Sequence, residues 1–180
     1  MGKTPGNSAE RRMKERRGYG LWDSPVTTDM LSGQKRHMDI AWDDDGETLV
    51  WCESAGAKSV LVAKYGSHAP RVISGEIGVR GGVGYGGGEF TVHGHTAFFC
   101  GEDGRLYRVD VATGLPHAIT PAFGKIASPA VSPDGRWIAY VWTDGTDDVL
   151  AVVESHGRQW PQKIVVGADT ANNCTAVRGG

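Results

Sequence analysis

Two short segments of this 180-residue chain carry side chains of the kinds that bind metal ions. Residues 43–47 read Asp-Asp-Asp-Gly-Glu, and His93 and His95 flank a single glycine. A calcium-binding EF-hand loop needs carboxylates at alternate positions and a glutamate further along, and the acidic run lacks that spacing. A zinc site needs more than two imidazoles, and no third ligand is apparent beside the histidine pair. We therefore predict a strand turn with exposed charge at residues 43–47, and no metal site.

A glycine-rich stretch at residues 82–87 has the Gly-x-Gly-x-x-Gly pattern of dinucleotide-binding loops. Such loops bind pyrophosphate because a helix begins directly after them, whereas residues 90–92 have the composition of a strand. We therefore predict no cofactor site, and a role for these glycines in close backbone packing. Glu89 and Tyr85 are the candidate substrate-facing residues. Glu89 could meet the amino terminus of a substrate, and a solvated or structural role for Glu89 is the alternative.

The sequence contains no recognisable motif for nucleophilic catalysis. The pattern Gly-x-Ser-x-Gly, which presents the nucleophile of many serine hydrolases, does not occur. Cys52, Cys100 and Cys174 are an odd number of cysteines without Cys-x-x-Cys spacing, so we predict neither a disulfide framework nor a zinc site. Cys52 and Cys100 each follow an aromatic residue, and we expect them to be half-buried. The sequence therefore predicts no catalytic residue and no enzymatic activity for this chain alone.

These segments belong to an internal repeat. Residues 39–51 and 128–140 match at an Asp-Gly turn, at the apolar positions around it and at an aromatic residue beyond it. Residues 90–99 form a weaker copy. The matched apolar positions before the turn are spaced 48 and 41 residues apart. Repeats of this length are typical of the four-stranded blades of β-propellers.

Each copy also has the turn and strand pattern of a blade. Asp-Gly favours a tight turn, because aspartate binds its own backbone and glycine adopts a positive φ. Alternating apolar residues follow the turns, and helical periodicity occurs only near Thr27–Leu31. We therefore predict an all-β fold, a partial β-propeller of about three four-stranded antiparallel blades, at residues 36–74, 79–121 and 124–168.

Large aromatic residues recur at the repeat positions, which predicts that they pack between blades and do not form a ligand cage. Fully burying each would stabilise the fold by roughly 1.5–3 kcal/mol. On this interpretation Trp137→Ala would cost about 3–5 kcal/mol. The predicted inter-blade core consists of Trp42, Trp51, Phe90, Phe99, Trp137 and Tyr140.

Charge is distributed unevenly along the chain. Residues 1–17 hold six basic and two acidic residues, and the remainder holds 13 basic and 19 acidic ones. We predict a disordered basic tail at residues 1–18, the partial propeller at 19–168, and a truncated or disordered tail at 169–180. No aromatic residue lies among the basic ones, so we predict no nucleic-acid binding. No apolar run is long enough for a membrane span or a signal peptide, so we expect no membrane contact and a cytoplasmic location.

Three blades are too few for a closed propeller, since propellers have about four to eight. Open ends would expose strand edges and apolar blade faces. We therefore expect a fragment of a longer protein, or a piece that needs a partner or associates with itself through its open edges.

Four segments together support a family resemblance. They are Tyr19–Thr28, the glycine-rich Val83–Val92, Gly104–Tyr107 and Val131–Tyr140. The chain resembles, over roughly residues 19–168, the N-terminal propeller of prolyl oligopeptidase-family serine peptidases, of the dipeptidyl aminopeptidase/acylaminoacyl-peptidase type. Ser-Pro-Asp-Gly within Val131–Tyr140 occurs in many propellers, and the first two segments are the more specific.

The resemblance implies a parent enzyme that cleaves short peptides. In that family an α/β-hydrolase domain with a Ser–Asp–His triad follows the propeller, and the propeller restricts access to the active site. That catalytic half is missing from this chain, so no catalytic residue carries over. Two other interpretations stay open: a protein-binding propeller of the WD-repeat or Tol-associated type, and a non-functional truncated product.

Overall fold

The computed structural model describes Gly18 and residues 35–55, 57–83, 88–122, 124–157 and 163–166. The prediction of an all-β fold is confirmed, because three four-stranded antiparallel sheets make up the described structure. The expected helix near Thr27–Leu31 lies outside the described residues, as do the expected tails apart from Gly18. Within the described part of the chain, no helix has the length and apolar character that crossing a membrane requires.

Each sheet is a meander in which strands that are consecutive in sequence pair with one another. Blade 1 comprises β1 Arg36–Trp42, β2 Thr48–Ala55, β3 Lys58–Tyr65 and β4 Arg71–Val72. Blade 2 comprises β5 Phe90–His93, β6 Thr96–Cys100, β7 Leu106–Asp110 and β8 His117–Ala118. Blade 3 comprises β9 Lys125–Val131, β10 Trp137–Thr143, β11 Asp148–Glu154 and β12 Lys163–Val166.

Aspartate side chains hold the turns between the first two strands of blades 1 and 3. The carboxylate of Asp45 accepts hydrogen bonds from the backbone N–H groups of Glu47 and Thr48, both at 2.8 Å. The carboxylate of Asp134 likewise accepts one from the backbone N–H of Arg136 at 3.1 Å. These bonds satisfy backbone groups that the strands leave unpaired at the turn. The predicted Asp-Gly turns are therefore confirmed at both places.

The two faces of a blade carry different residues, because successive strand residues point to opposite faces. The same face of each blade is directed toward the preceding blade at both interfaces. We call the face that meets the preceding blade the leading face, and the opposite one the trailing face. The trailing face of blade 1, with Val50, Cys52 and Leu61, packs on the leading face of blade 2, with Phe99 and Val109.

The second interface repeats this arrangement one blade further along the chain. The trailing face of blade 2, with Phe98 and Leu106, packs on the leading face of blade 3, with Ile138, Tyr140 and Val153. The core therefore lies in two layers between the three blades.

The predicted aromatic core is confirmed for Phe90, Phe99 and Tyr140, which are buried, and Trp51 is half-buried. The prediction was wrong for Trp42 and Trp137, whose exposed fractions are 64% and 40%. Trp42 lies on the leading face of blade 1, and Trp137 lies on the trailing face of blade 3. Within the described part of the chain, no other blade covers either face.

The repeat alignment caused part of this error. Phe90 was matched to Trp42, but Phe90 pairs with Phe99 as Ile40 pairs with Trp51. The structural counterpart of Phe90 is therefore Ile40, so Trp42 stands two residues further along its strand. The exposure of Trp137 also removes the basis for a large cost of Trp137→Ala within the chain.

We predict that Phe99→Ala destabilises the protein by about 3–5 kcal/mol, measured by chemical denaturation. Phe99 is 0% exposed, and its ring stacks on Tyr107 with centroids 5.3 Å apart, so its removal leaves a cavity between blades 1 and 2. Leu115→Ala is the control. Leu115 is 64% exposed, and its truncation should change stability by no more than about 0.5 kcal/mol. Equal effects of the two variants would contradict the assigned core.

Candidate functional site

The first strands of the three blades lie side by side, because β5 contacts both β1 and β9. Each of the three is associated with one residue of positive φ, which lies inside β1, just before the start of β5 and inside β9, respectively. These residues are Asp39 at 34°, Gly88 at 66° and Ser128 at 53°. The pairing register shifts around Asp39 and around Ser128, which are the sites of β-bulges. Bulges bend a strand and redirect its side chains, and they are frequent next to functional sites.

Hydrogen bonds join these three residues into one continuous line across the blades. Oδ2 of Asp39 accepts bonds from the backbone N–H groups of Gly88 at 2.8 Å and Glu89 at 3.1 Å. The carbonyl oxygen of Gly88 accepts a bond from the backbone N–H of Ser128 at 2.7 Å. The backbones of Gly88 and Ser128 lie close together, because a Cβ added at Gly88 would lie 2.9 Å from Cα of Ser128. We call the residues Asp39, Gly88, Glu89 and Ser128 the inner-strand junction.

Two carboxyl groups meet at the inner-strand junction. A hydrogen bond from the side chain of Glu89 lowers the pKa of Asp39 below its ordinary value, and burial acts against this in part. The backbone N–H groups of Glu89 and Gly88 lower the pKa of Asp39 further. A hydrogen bond between two carboxyl groups requires one shared proton, so Asp39 is the ionised member of this pair. The pair therefore presents one negative charge, on the exposed side chain of Asp39, with Glu89 8% exposed behind it.

The structure places one of the two predicted site residues at this junction. Glu89 contributes a carboxyl group to it, and Tyr85 lies outside the described residues. That these residues face a substrate stays a prediction. Asp39 was not predicted as a site residue, although one signal was available: Asp39 and Ser128 open the two matched repeat segments.

The two described cysteines lie near the same carboxyl pair and are more deeply buried than expected. Cys52 and Cys100 are both 0% exposed and both are free thiols. Burial raises the pKa of each thiol to about 12. Because the thiolate is the reactive form, both cysteines are poor nucleophiles at neutral pH.

A second polar cluster joins the first turn of blade 1 to the first turn of blade 2. The carboxylate of Asp43 accepts a bond from the backbone N–H of His95 at 2.7 Å, and that of Asp44 accepts one from Gly94 at 3.0 Å. His95 Nδ1 lies 3.3 Å from Oδ2 of Asp45. Burial raises the pKa of Asp43, whose side chain is 0% exposed. The predicted exposed charge at residues 43–47 therefore holds for Asp44 and Asp45 but not for Asp43.

This cluster contains three groups that could hold a metal ion. One ligand atom each from Asp43, Asp45 and His95 lies within 4.8 Å of the others. The aspartates and the histidines lie about 50 residues apart in the sequence, and nothing in the sequence indicated that they meet. The two carboxylates already accept backbone hydrogen bonds from Asp44, Glu47, Thr48 and His95. These bonds account for the arrangement as a link between blades.

A cleft of about 640 Å³ lies beside this cluster, between the outer parts of blades 1 and 2. Tyr65 stacks on His68 with ring centroids 5.9 Å apart and meets His95 edge to face at 6.0 Å. The guanidinium of Arg71 donates a hydrogen bond to the carbonyl of Val111 across the two blades. The cleft therefore offers aromatic and imidazole surfaces beside one cationic side chain.

We predict that Gly88→Ala destabilises the protein by about 1–3 kcal/mol more than Gly46→Ala, measured by chemical denaturation. The two glycines have similar φ values, 66° and 69°, so the backbone strain of an alanine is matched. Nothing lies within 4 Å of a Cβ added at Gly46, whereas one at Gly88 would collide with Ser128. The difference thus measures the close approach at the inner-strand junction, and equal costs would show that the strands are not held together there.

We predict that Asp43→Ala lowers the free energy of unfolding by about 1–3 kcal/mol, because it leaves the backbone N–H of His95 without its acceptor. Thermal and chemical denaturation at pH 7 would measure the effect. Asp147→Ala is the control, since Asp147 is an exposed residue between β10 and β11. An Asp43→Ala variant as stable as this control would refute the role of Asp43 as a link between blades.

No protein-family model matches the chain, and no curated protein sequence matches it. Solved structures do match. A TolB protein from Agrobacterium tumefaciens superposes with a TM-score of 0.52 at 20% identity, over 66% of this chain and 43% of its own. TolB from Acinetobacter baumannii superposes with a TM-score of 0.53 at 12% identity, over 77% and 39%. A puromycin-hydrolyzing peptidase from Mycobacterium tuberculosis superposes with a TM-score of 0.50 at 15% identity, over 86% and 35%.

These likenesses are to proteins more than twice as long as the matched region. The chain spans less than half the length of each of the three structures. At identities of 12–20% the similarity concerns the fold alone. Together with the three antiparallel sheets, it shows that the chain has the fold of a partial β-propeller.

Proposed function

We propose that this chain is the non-catalytic propeller portion of a prolyl oligopeptidase-like serine peptidase, and that it admits short peptides to a hydrolase domain in the parent protein. The observation that carries the proposal is the Asp39–Glu89 carboxyl pair on the inner strands. The similarity in fold to a puromycin-hydrolyzing peptidase supports it, as do the resembling segments at Tyr19–Thr28 and Val83–Val92.

The carboxyl pair has the chemistry to select peptides by their amino terminus. The lowered pKa of Asp39 keeps its carboxylate ionised at neutral pH, and an ammonium group is the natural counter-ion for it. The backbone N–H groups of Gly88 and Glu89 hold that carboxylate in place from the neighbouring blade. A peptide whose free amino group binds at the inner-strand junction would be held in one orientation relative to the first strands of the blades.

We predict that the chain binds trialanine through its free amino group and does not bind N-acetyl-trialanine. Asp39→Asn should weaken trialanine binding at least about tenfold, or 1.4 kcal/mol, because it removes the charge while keeping an oxygen that can accept hydrogen bonds. Calorimetry or NMR titration at pH 7 would measure this, with Asp147→Asn as a charge-matched control. Binding should persist on acidification and be lost only below pH 3.8, since the pKa of Asp39 lies below that value.

Two results would contradict this proposal. Equal trialanine affinity in the wild type and in Asp39→Asn would remove the carboxyl pair from peptide recognition. Release of nitroaniline from alanine p-nitroanilide by the chain alone would show a catalytic site that the proposal excludes, and the chain lacks Gly-x-Ser-x-Gly.

A protein-binding propeller without enzymatic activity is the second candidate function. The observation that favours it is the cleft at Tyr65, His68 and His95, which lies between the outer parts of blades 1 and 2. Aromatic and arginine side chains are the residues that most often anchor protein partners. The fold similarity to two TolB proteins is compatible with it. The same titration separates the two candidates, because a protein-binding propeller should not bind trialanine more tightly than N-acetyl-trialanine.

A further inference from the structure

The leading face of blade 1 is an apolar sheet face that the described blades leave uncovered. Ile40 is 72% exposed and Trp42 is 64% exposed, and the half-buried Leu49 and Trp51 pair with them across β1 and β2. Contiguous exposed apolar surface of this kind marks an interaction site. Blade 2 covers only the opposite, trailing face of blade 1.

The trailing face of blade 3 is uncovered in the same way at the other end of the described structure. Leu150 is 38% exposed and Trp137 is 40% exposed. Ala139, Val141 and Val152 lie on this face with them, because Ala139 pairs with Val152 and Val141 pairs with Leu150. Blade 2 packs against the opposite, leading face of blade 3, at Ile138, Tyr140 and Val153.

The two uncovered faces are of the two kinds that already pack on each other inside the chain. At both internal interfaces a trailing face lies on a leading face. The trailing face of blade 3 could therefore pack on a leading face in the same way, and blade 1 has a leading face that is uncovered. The two faces lie on the first and third of three sequential blades, so the interface that would join them continues an established one.

Charges at the edge of these faces are also complementary. Lys64 pairs with Leu49 on the leading face of blade 1, next to the β1–β2 turn. Glu154 pairs with Trp137 on the trailing face of blade 3, next to the β9–β10 turn. The first turns of the blades lie at one common end, since Asp44 binds Gly94 and a Cβ at Gly135 would lie 2.9 Å from His93. A cation and an anion would thus meet at the same end of the new interface.

We propose that two copies of this chain associate head to tail and close one six-bladed ring, in which the trailing face of blade 3 of each copy packs on the leading face of blade 1 of the other. The described residues form three blades, which are fewer than the roughly four to eight of a closed propeller. Two copies of these three blades fall within that range, and three copies exceed it. A two-fold axis relates the copies, so both interfaces are the same and both of the described uncovered faces are buried. This inference goes beyond the proposed function and does not rest on it.

Sedimentation equilibrium or light scattering of the 180-residue chain tests the ring directly. The expected mass is twice the 19.2 kDa of one chain, and it should stay constant as the concentration rises. A mass of one chain at all concentrations would overturn the proposal. This holds also where another protein binds these faces, because the isolated chain would then be monomeric. A mass that grows steadily with concentration would also overturn it, because an open head-to-tail assembly does not close.

Two variants test the head-to-tail geometry. Ile40→Lys breaks only the blade 1 face and Leu150→Lys breaks only the blade 3 face, so each alone should have the mass of one chain. An equimolar mixture should form a dimer, because one of its two interfaces then combines two unaltered faces. A face-to-face dimer of two blade 1 surfaces would instead survive Leu150→Lys, which would overturn the proposed arrangement.

Leu115→Lys is the matched control for these variants. Leu115 is 64% exposed, lies between β7 and β8 of blade 2 and belongs to neither face, so this variant should keep the mass of two chains. Circular dichroism of every variant would show that the strands are retained. The trialanine titration gives a separate readout, so a monomeric chain that still binds trialanine would overturn the ring alone.

Discussion

The three first strands are joined at Asp39, Gly88 and Ser128, and the stacking of the blades depends on this connection. Gly88 has no Cβ, so Ser128 can come close enough for its N–H to bind the Gly88 carbonyl. On the other side, the Asp39 carboxylate satisfies two N–H groups that would otherwise be left without a protein partner where β5 begins. All three bonds cross from one blade to the next, so they set the separation at which the apolar faces of neighbouring blades pack together.

The same junction concentrates charge where the blades converge. A carboxyl pair is costly to bury unless hydrogen bonds or a shared proton compensate, and the backbone of the second blade supplies those bonds to Asp39. The turn cluster of Asp43, Asp45 and His95 follows the same physical rule at one end of the blades, because backbone donors from two blades bind the buried carboxylate of Asp43. In both places, hydrogen bonds to carboxylates link one blade to the next.

The candidate site was only partly predictable. Glu89 stood out because a single acidic residue ends a run of glycines, and it does belong to the inner-strand junction. Asp39 was not identified, since 50 residues separate it from the carboxyl group that it binds, and nothing local marks the contact. His95 was set aside for want of a third ligand, and the missing groups, Asp43 and Asp45, lie on the neighbouring blade. Each omission concerns a contact between blades.

The sequence by itself determined the strands and the turns, because alternation of apolar residues and Asp-Gly pairs act within a few residues. Repetition then determined that the strands form three similar sheets. Only the tertiary structure decided which face of each sheet is buried. Phe99 and Trp51 have the same local pattern, yet Phe99 is buried by the preceding blade and Trp51 is half-buried. Burial of a sheet face depends on whether another blade packs on it. The copies of an internal repeat have the same apolar pattern, whether or not each copy has a neighbouring blade.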